Sequence, residues 1–142
     1  MAREIKINSF LNHPNINQMY GFSWDDKHIY LLLELCSDGE VFKILKKRRR
    51  TTEKQAAFII KQMVDALSAM HSLNVIHRDL KPENLIMHEG IIKVIDFGWA
   101  TDFRGKHRNT LCGTPLYYSP EMVKKESYDF NVDIWSIGIL AY

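Results

Sequence analysis

His77-Arg78-Asp79-Leu80-Lys81-Pro82-Glu83-Asn84, followed by Asp96-Phe97-Gly98, is the stretch on which the reading of this chain turns. Asp79 offers a carboxylate, Lys81 a point positive charge, and Asn84 with Asp96 a pair of hard oxygen ligands. An amide and a carboxylate suit Mg²⁺, which keeps several waters and takes its remaining ligands from substrate phosphates. Phosphoryl transfer asks little covalent chemistry of a protein. It needs metal ions held in place, a carboxylate near the attacking hydroxyl, and cations that offset charge on the moving group. The ordinary alternative is an exposed charged loop followed by an acidic turn. Five fixed residues in a window of eight match by chance in roughly one window per several million, before the second motif is required.

Working outward, Thr52 and Gln55 have the spacing of a capping box, and Phe58, Ile59, Met63, Ala66, Leu67 and Met70 recur at helical spacing. This predicts a long helix over 52–72 with those residues on its buried face. A short helix is predicted over 39–47. Two short strands are predicted over 16–22 and 28–34, around the turn Trp24-Asp25-Asp26-Lys27. Residues 3–11 suit the tail of a helix, which His13-Pro14-Asn15 ends, because a residue before proline avoids the helical region. Downstream, Ile76, 85–87 and 91–95 read as short β runs, the last two split by His88-Glu89-Gly90. A polar stretch follows over 96–120. Residues 132–142 read as a strongly apolar helix, with Trp135 in the core.

With 142 residues, 46% apolar and 25% charged, the composition is that of one globular domain or part of one. No apolar run approaches the roughly 18 residues of a membrane span, so no membrane partner is expected. Met1-Ala2-Arg3-Glu4-Ile5-Lys6 lacks the apolar core of a secretory signal. A net charge of +2 does not argue for direct nucleic-acid binding. Cys36 and Cys112 form neither a metal spacing nor a disulfide framework, which fits a reducing, intracellular compartment. The run Lys46-Lys47-Arg48-Arg49-Arg50 reads as a solvated helix end that favours the macrodipole, the alternative being a nuclear-localisation or nucleic-acid patch. His28 and His71 stand without ligand partners, so no metal role is expected of them.

Taken together, the motifs resemble those of eukaryotic-type protein kinases over the whole chain, and within them the Aurora kinases. Four segments carry the narrower likeness: Arg3-Glu4-Ile5-Lys6-Ile7-Asn8, His13-Pro14-Asn15-Ile16, Asp96-Phe97-Gly98-Trp99, and Thr110-Leu111-Cys112-Gly113-Thr114. Ser119-Pro120-Glu121, Asn109 and Pro115-Leu116-Tyr117-Tyr118 depart from the Aurora pattern. The resemblance implies an α+β fold of bilobal, kinase-like architecture, here truncated. Residues 1–34 would be the remnant of the small lobe, and 35–142 the hinge and the N-terminal part of the large lobe.

The resemblance also implies an ATP- and Mg²⁺-dependent serine/threonine protein kinase. In it Asp79 takes the proton of the substrate hydroxyl, Lys81 steadies the γ-phosphate, and Asn84 and Asp96 hold Mg²⁺. Lys81 and Thr114 are the choices of serine/threonine rather than tyrosine kinases. Backbone groups of Glu34 and Cys36 would bind the adenine edge, with Ile86 beneath it. Arg78 and Arg3 would pair with a phosphorylated Thr110, a charge-assisted contact that orders the loop.

Glu40 and Glu83 would read basic residues before the phosphoacceptor of protein substrates, although Glu40 could equally hold the ATP ribose. An activating protein partner, and a spindle or centrosome association, follow from the resemblance alone. Glu4 matches the glutamate that positions the ATP-binding lysine, and Glu121 one that pairs with a distant arginine. Neither partner, nor a glycine-rich phosphate loop, is found in these residues, so a partial kinase domain, inactive alone, is expected. The rival reading is a non-catalytic interaction module, against which the intact Asp79, Lys81, Asn84 and Asp96 speak.

Overall fold

A computed structural model of the chain describes residues 2–104 and 108–142. The elements run α1 (Ala2–Phe10), β1 (Met19–Trp24), β2 (Ile29–Leu33), β3 (Gly39–Glu40), α2 (Val41–Arg48) and α3 (Glu53–Ser72). Then come β4 (Val75–Ile76), β5 (Leu85–His88), β6 (Ile91–Val94), β7 (Thr101–Asp102), α4 (Pro120–Val123) and α5 (Asn131–Ala141). Short 3-10 turns at Pro82–Asn84 and Pro115–Tyr117 each begin on a proline, whose missing N–H costs nothing there. The described strands form three small antiparallel groups: β1 with β2, β5 between β3 and β6, and β4 with β7.

Helix α3 is set by its cap. The Gln55 N–H donates to Thr52 Oγ1 at 3.3 Å, and the Thr52 N–H donates to Gln55 Oε1 at 3.2 Å. Two orphan donors are thereby satisfied where the helix begins. Ile59, Met63, Ala66, Leu67 and Met70 are buried and form one core with Leu80, Leu85, Ile92, Val94 and Phe97. Phe58 departs from the expected stripe and is 54% exposed. It sits one position before Ile59, so the 100° step turns it off the covered face.

The expected first strand begins later than its apolar run. Asn15 accepts from the Val94 N–H at 2.9 Å, and the Asn17 N–H donates to the Val94 carbonyl at 3.0 Å. Those bonds hold 15–17 beside β6, so the β1–β2 hairpin opens only at Met19. Its turn also shifts: the Asp25 carboxylate accepts from the N–H groups of Lys27 and His28 at 2.8 and 2.7 Å, leaving Trp24 in the strand. Residues 39–40 pair with Met87 and Ile86, so α2 starts at Val41. The polar stretch over 96–120 holds β7 and the Pro115–Tyr117 turn. Trp135, expected in the core, is 43% exposed, because the described elements cover only the Val132–Asp133 and Ser136–Ile137 side of α5.

Within α5, Asp133 is fully buried in an otherwise apolar segment. Its Oδ2 accepts from the His77 N–H and from His71 Nε2, both at 2.9 Å, and its Oδ1 accepts from the Arg78 N–H at 2.8 Å. One carboxylate thus fixes the start of the loop 77–81 and the end of α3. Replacing Asp133 with Ala leaves buried N–H groups without acceptors, each worth about 1–3 kcal/mol. Urea unfolding of the full-length protein is expected to show a loss of about 2–4 kcal/mol. A change within about 0.5 kcal/mol, the range of a surface substitution, would show that these bonds do not hold the loop.

Candidate active site

The quoted loop folds back on itself so that its polar side chains meet at Asp79, which is 4% exposed. Lys81 Nζ lies 2.9 Å from Asp79 Oδ2 and donates to Thr114 Oγ1 at 2.7 Å. The Thr114 hydroxyl donates to Asp79 Oδ1 at 2.6 Å. Asn84 Nδ2 donates to the Asp79 carbonyl at 2.9 Å and to Oδ2 at 3.1 Å. Asp79, Lys81, Asn84 and Thr114, all named from sequence, therefore form one network. Thr114 reaches it because Gly113 lets the two segments touch: a Cβ on Gly113, whose φ is +94°, would fall 2.3 Å from the Arg78 carbonyl oxygen.

His77 is the floor of this network. Its Nδ1 accepts from the Asp79 N–H at 3.3 Å and its Nε2 faces the Ile95 carbonyl at 3.2 Å, so the ring carries its proton on Nε2. Burial pushes the His77 pKa down, against the smaller opposing pull of Asp133, and keeps the ring neutral. The buried Phe97 ring meets it edge-on, with centroids 5.3 Å apart.

Asn84 and Asp96 flank the paired ends of β5 and β6, where the Ile95 N–H donates to the Asn84 carbonyl at 3.0 Å. Both Asn84 side-chain bonds use its nitrogen, which leaves Oδ1 as an acceptor for a cation. The Asp96 carboxylate is exposed, and among the described residues its Oδ1 accepts from the Gly98 N–H alone, at 3.1 Å. This donor set fits Mg²⁺ held by a single amide and a single carboxylate. Among the described residues no cluster of three His, Cys, Asp or Glu side chains stands ready for a transition metal. Glu4, on α1, faces the same turn: its Oε2 lies 4.0 Å from where a Gly98 Cβ would stand.

At the other edge of β6, Glu34 is tied down. Its Oε1 pairs with Lys93 Nζ at 2.7 Å and its Oε2 accepts from the Gln18 N–H at 3.2 Å. Burial raises the Glu34 pKa, but the Lys93 bond and the Gln18 N–H outweigh it, and the net shift is downward. The Glu34 carbonyl, expected to face adenine, accepts from Asn17 Nδ2 at 3.1 Å. Cys36 is half-buried beside that same amide (3.2 Å), and burial pushes its thiol pKa up. Ile86 is half-buried on β5 opposite Lys93. Glu40 pairs with Lys43 at 2.6 Å, and Glu83 is exposed near Tyr117, whose pKa is raised by burial and then by the Glu83 charge.

Arg78, Arg3 and Thr110 line one cleft of about 510 Å³ between α1 and β7. Arg78 is buried; its Nε donates to the Trp99 carbonyl at 2.8 Å and its Nη1 to the Tyr128 hydroxyl at 3.0 Å. That hydroxyl donates in turn to the Thr110 carbonyl at 2.6 Å.

Sequence reasoning missed several members. Lys6 and Arg108 also line the cleft. Their signal is spacing, one helical turn after Arg3 and two residues before Thr110. Asp133 was signalled only as a charge inside an apolar run. His71, read as partnerless, bonds Asp133. Asn8 is buried with its Oδ1 unpaired, and Glu121 makes no ion pair among the described residues.

The protein kinase domain family matches residues 1–142. An Aurora kinase of Eremothecium gossypii is 45% identical over 99% of this chain and 39% of its own length. Aurora/IPL1-related protein kinase 2 of Caenorhabditis briggsae is 47% identical over 100% of this chain and 47% of its own. Aurora kinase B-A of Xenopus laevis is 45% identical over 100% and 40% respectively. The chain spans less than half the length of these relatives. No described helix is long and apolar enough to cross a membrane. With its α+β architecture and its Asp79-centred network, the chain belongs to the protein kinase family, and its sequence is similar to the Aurora kinases.

Proposed function

We propose that this chain carries the catalytic loop of an Aurora-type kinase that moves the γ-phosphoryl group of ATP to Ser or Thr hydroxyls of protein substrates. The observation that carries the reading is the Asp79 carboxylate, held by Lys81, Thr114 and Asn84 at 2.6–3.1 Å. The substrate hydroxyl proton passes to Asp79 as the new O–P bond forms and ADP departs. Lys81 offsets charge on the transferred group from a position already fixed by its two acceptors. Asn84 and Asp96 would hold Mg²⁺, which when bound supplies charge neutralisation at the phosphates. Preorganisation of this kind costs no rearrangement at the moment of reaction.

Thr110 is the regulatory hydroxyl in this reading. A phosphate on it would enter a cleft already lined by Arg3, Lys6, Arg78 and Arg108, adding charge-assisted bonds that order the loop. Substrate choice rests on Glu40 and Glu83. The Glu40–Lys43 pair is surface-exposed, worth about 0–1 kcal/mol, and yields readily to a substrate arginine.

Three outcomes test the reading in the full-length protein. Asp96→Asn is expected to lower phosphotransfer at least about a hundredfold, since a neutral amide is a poor replacement for the carboxylate at the metal. Activity kept within about tenfold by a radiolabelled ATP assay would remove the metal assignment. Thr110→Ala is expected to cut activity by on the order of tenfold or more where no partner orders the loop. Mass spectrometry of active enzyme with Thr110 never phosphorylated would reject the switch. A peptide array is expected to favour Arg or Lys two or three residues before the acceptor, and Glu83→Gln to weaken that preference. A proline-directed or acid-directed profile would sink the specificity assignment.

A further inference from the structure

Helices α2 and α3 enclose a groove of about 300 Å³ that lies apart from the Asp79 network and opens from the edge of the core at Val41 and Ile59. Ile44 and Leu45 of α2, Phe58 and Ile59 of α3, and Met87 of β5 line it. That volume is at the small end of the range for ligand pockets, about 300–1,000 Å³. Phe58 is the anomaly here. It interrupts the polar side of a well-capped helix and stays 54% exposed. A large aromatic left open beside other apolar side chains is the mark of a contact surface.

One end of the groove is strongly basic. Arg48 and Lys54 line it, and Lys47, Arg49 and Arg50 flank it in the sequence. Lys43 is paired with Glu40, and Lys46 lies 5.9 Å from the Phe42 ring centroid. Among the described residues, Lys47, Arg48, Arg49, Arg50 and Lys54 make no ion pair. Glu53 is the one acidic residue between Val41 and Lys61. A helix C-terminus offers favourable sites for cations, but the last turn of α2 accounts for only two of these charges, Lys47 and Arg48. Arg49, Arg50 and Lys54 lie beyond it and would repel one another. An apolar trough ending in unneutralised cations is complementary to a ligand with the opposite arrangement.

We propose that this groove docks a short segment of a partner protein in which carboxylates adjoin two closely spaced apolar side chains. The apolar side chains would fill the trough against Phe58, Met87 and Ile44. The carboxylates would meet Arg48 and Lys54 at its mouth. Phosphate polymers and lipid headgroups would satisfy the cations but have no use for the trough, so a peptide is the better match. Nothing in this assignment depends on catalysis, and a failure here would leave the Asp79 network untouched.

The test is fluorescence anisotropy on the full-length protein with a fluorescein-labelled synthetic peptide bearing consecutive glutamates followed by two leucines one residue apart. Control peptides replace the glutamates with lysine, or the leucines with alanine. Saturable binding is expected, weakened about tenfold or more by Phe58→Ala and by Lys54→Glu, and absent with both controls. Lys54 is exposed, so its variant tests the site even where Phe58→Ala disturbs folding; circular dichroism identifies that case. Binding indifferent to both substitutions overturns the proposal. So does equal binding of the alanine control, which would mean a plain charged surface of the kind that attracts anionic vesicles or nucleic acid. Absence of saturable binding also overturns it, because the groove is then closed by another copy or by another segment of the same protein.

Discussion

The buried carboxylate of Asp133 is the constraint on which the rest of the site depends. A charge taken out of water is tolerated only when hydrogen bonds replace its hydration, and here the replacements are the N–H groups of His77 and Arg78 together with His71 Nε2. The bonds work in both directions. They make the burial of Asp133 possible, and they hold the backbone of the loop in the one path that points Asp79, Lys81 and Asn84 at a common centre. Helix α3 delivers His71, α5 delivers Asp133, and the loop is clamped between them.

Around that clamp the charges separate by task. Lys81 shares its donors between Asp79 and Thr114, so its positive charge is held in place beside the Asp79 carboxylate. The Arg78 guanidinium points the other way, to the Trp99 carbonyl and the Tyr128 hydroxyl. Two cations three residues apart thus face opposite sides of the loop, Lys81 toward Asp79 and Thr114 and Arg78 toward Trp99 and Tyr128. Tyr128 links Arg78 to Thr110, because it accepts from Arg78 and donates to the Thr110 carbonyl. Burial raises the Tyr128 pKa, with Arg78 opposing it, and a phenol that keeps its proton is what a donor to a carbonyl requires.

What could be read from the sequence was what is local. The loop motif announces its own chemistry because Asp79, Lys81 and Asn84 lie within six residues, and the cap of α3 lies wholly within Thr52–Gln55. The part played by Asp133 was not legible, since its partners are backbone groups 55 and 56 residues away and every residue has such groups. Periodicity located the buried stripe of α3 but not its width, so Phe58 was placed inside it. The start of β1 was misread because Ile16 looks like strand, while the bonds that keep it out belong to Val94. Lys6 and Arg108 were missed because a cleft joins α1 to the segment before Thr110, and only the folded chain brings them together.

Backbone strain marks the same places. Arg78 has φ +70° and Asp96 φ +62°, left-handed conformations that cost a non-glycine residue of order 1–3 kcal/mol. Neither is a random irregularity, because each sits where neighbouring bonds over-determine the path. The Arg78 N–H is held by Asp133 and its side chain by Trp99 and Tyr128. Asp96 is held between Ile95, bonded to Asn84, and Gly98, bonded to its own carboxylate. A relaxed backbone at Arg78 would carry the next residue, Asp79, away from Thr114, and one at Asp96 would disturb its bond to the Gly98 N–H. The strain is therefore carried at two positions held from both sides by hydrogen bonds, and in the kinase reading proposed above these are the positions beside which the phosphoryl group and its metal would be met.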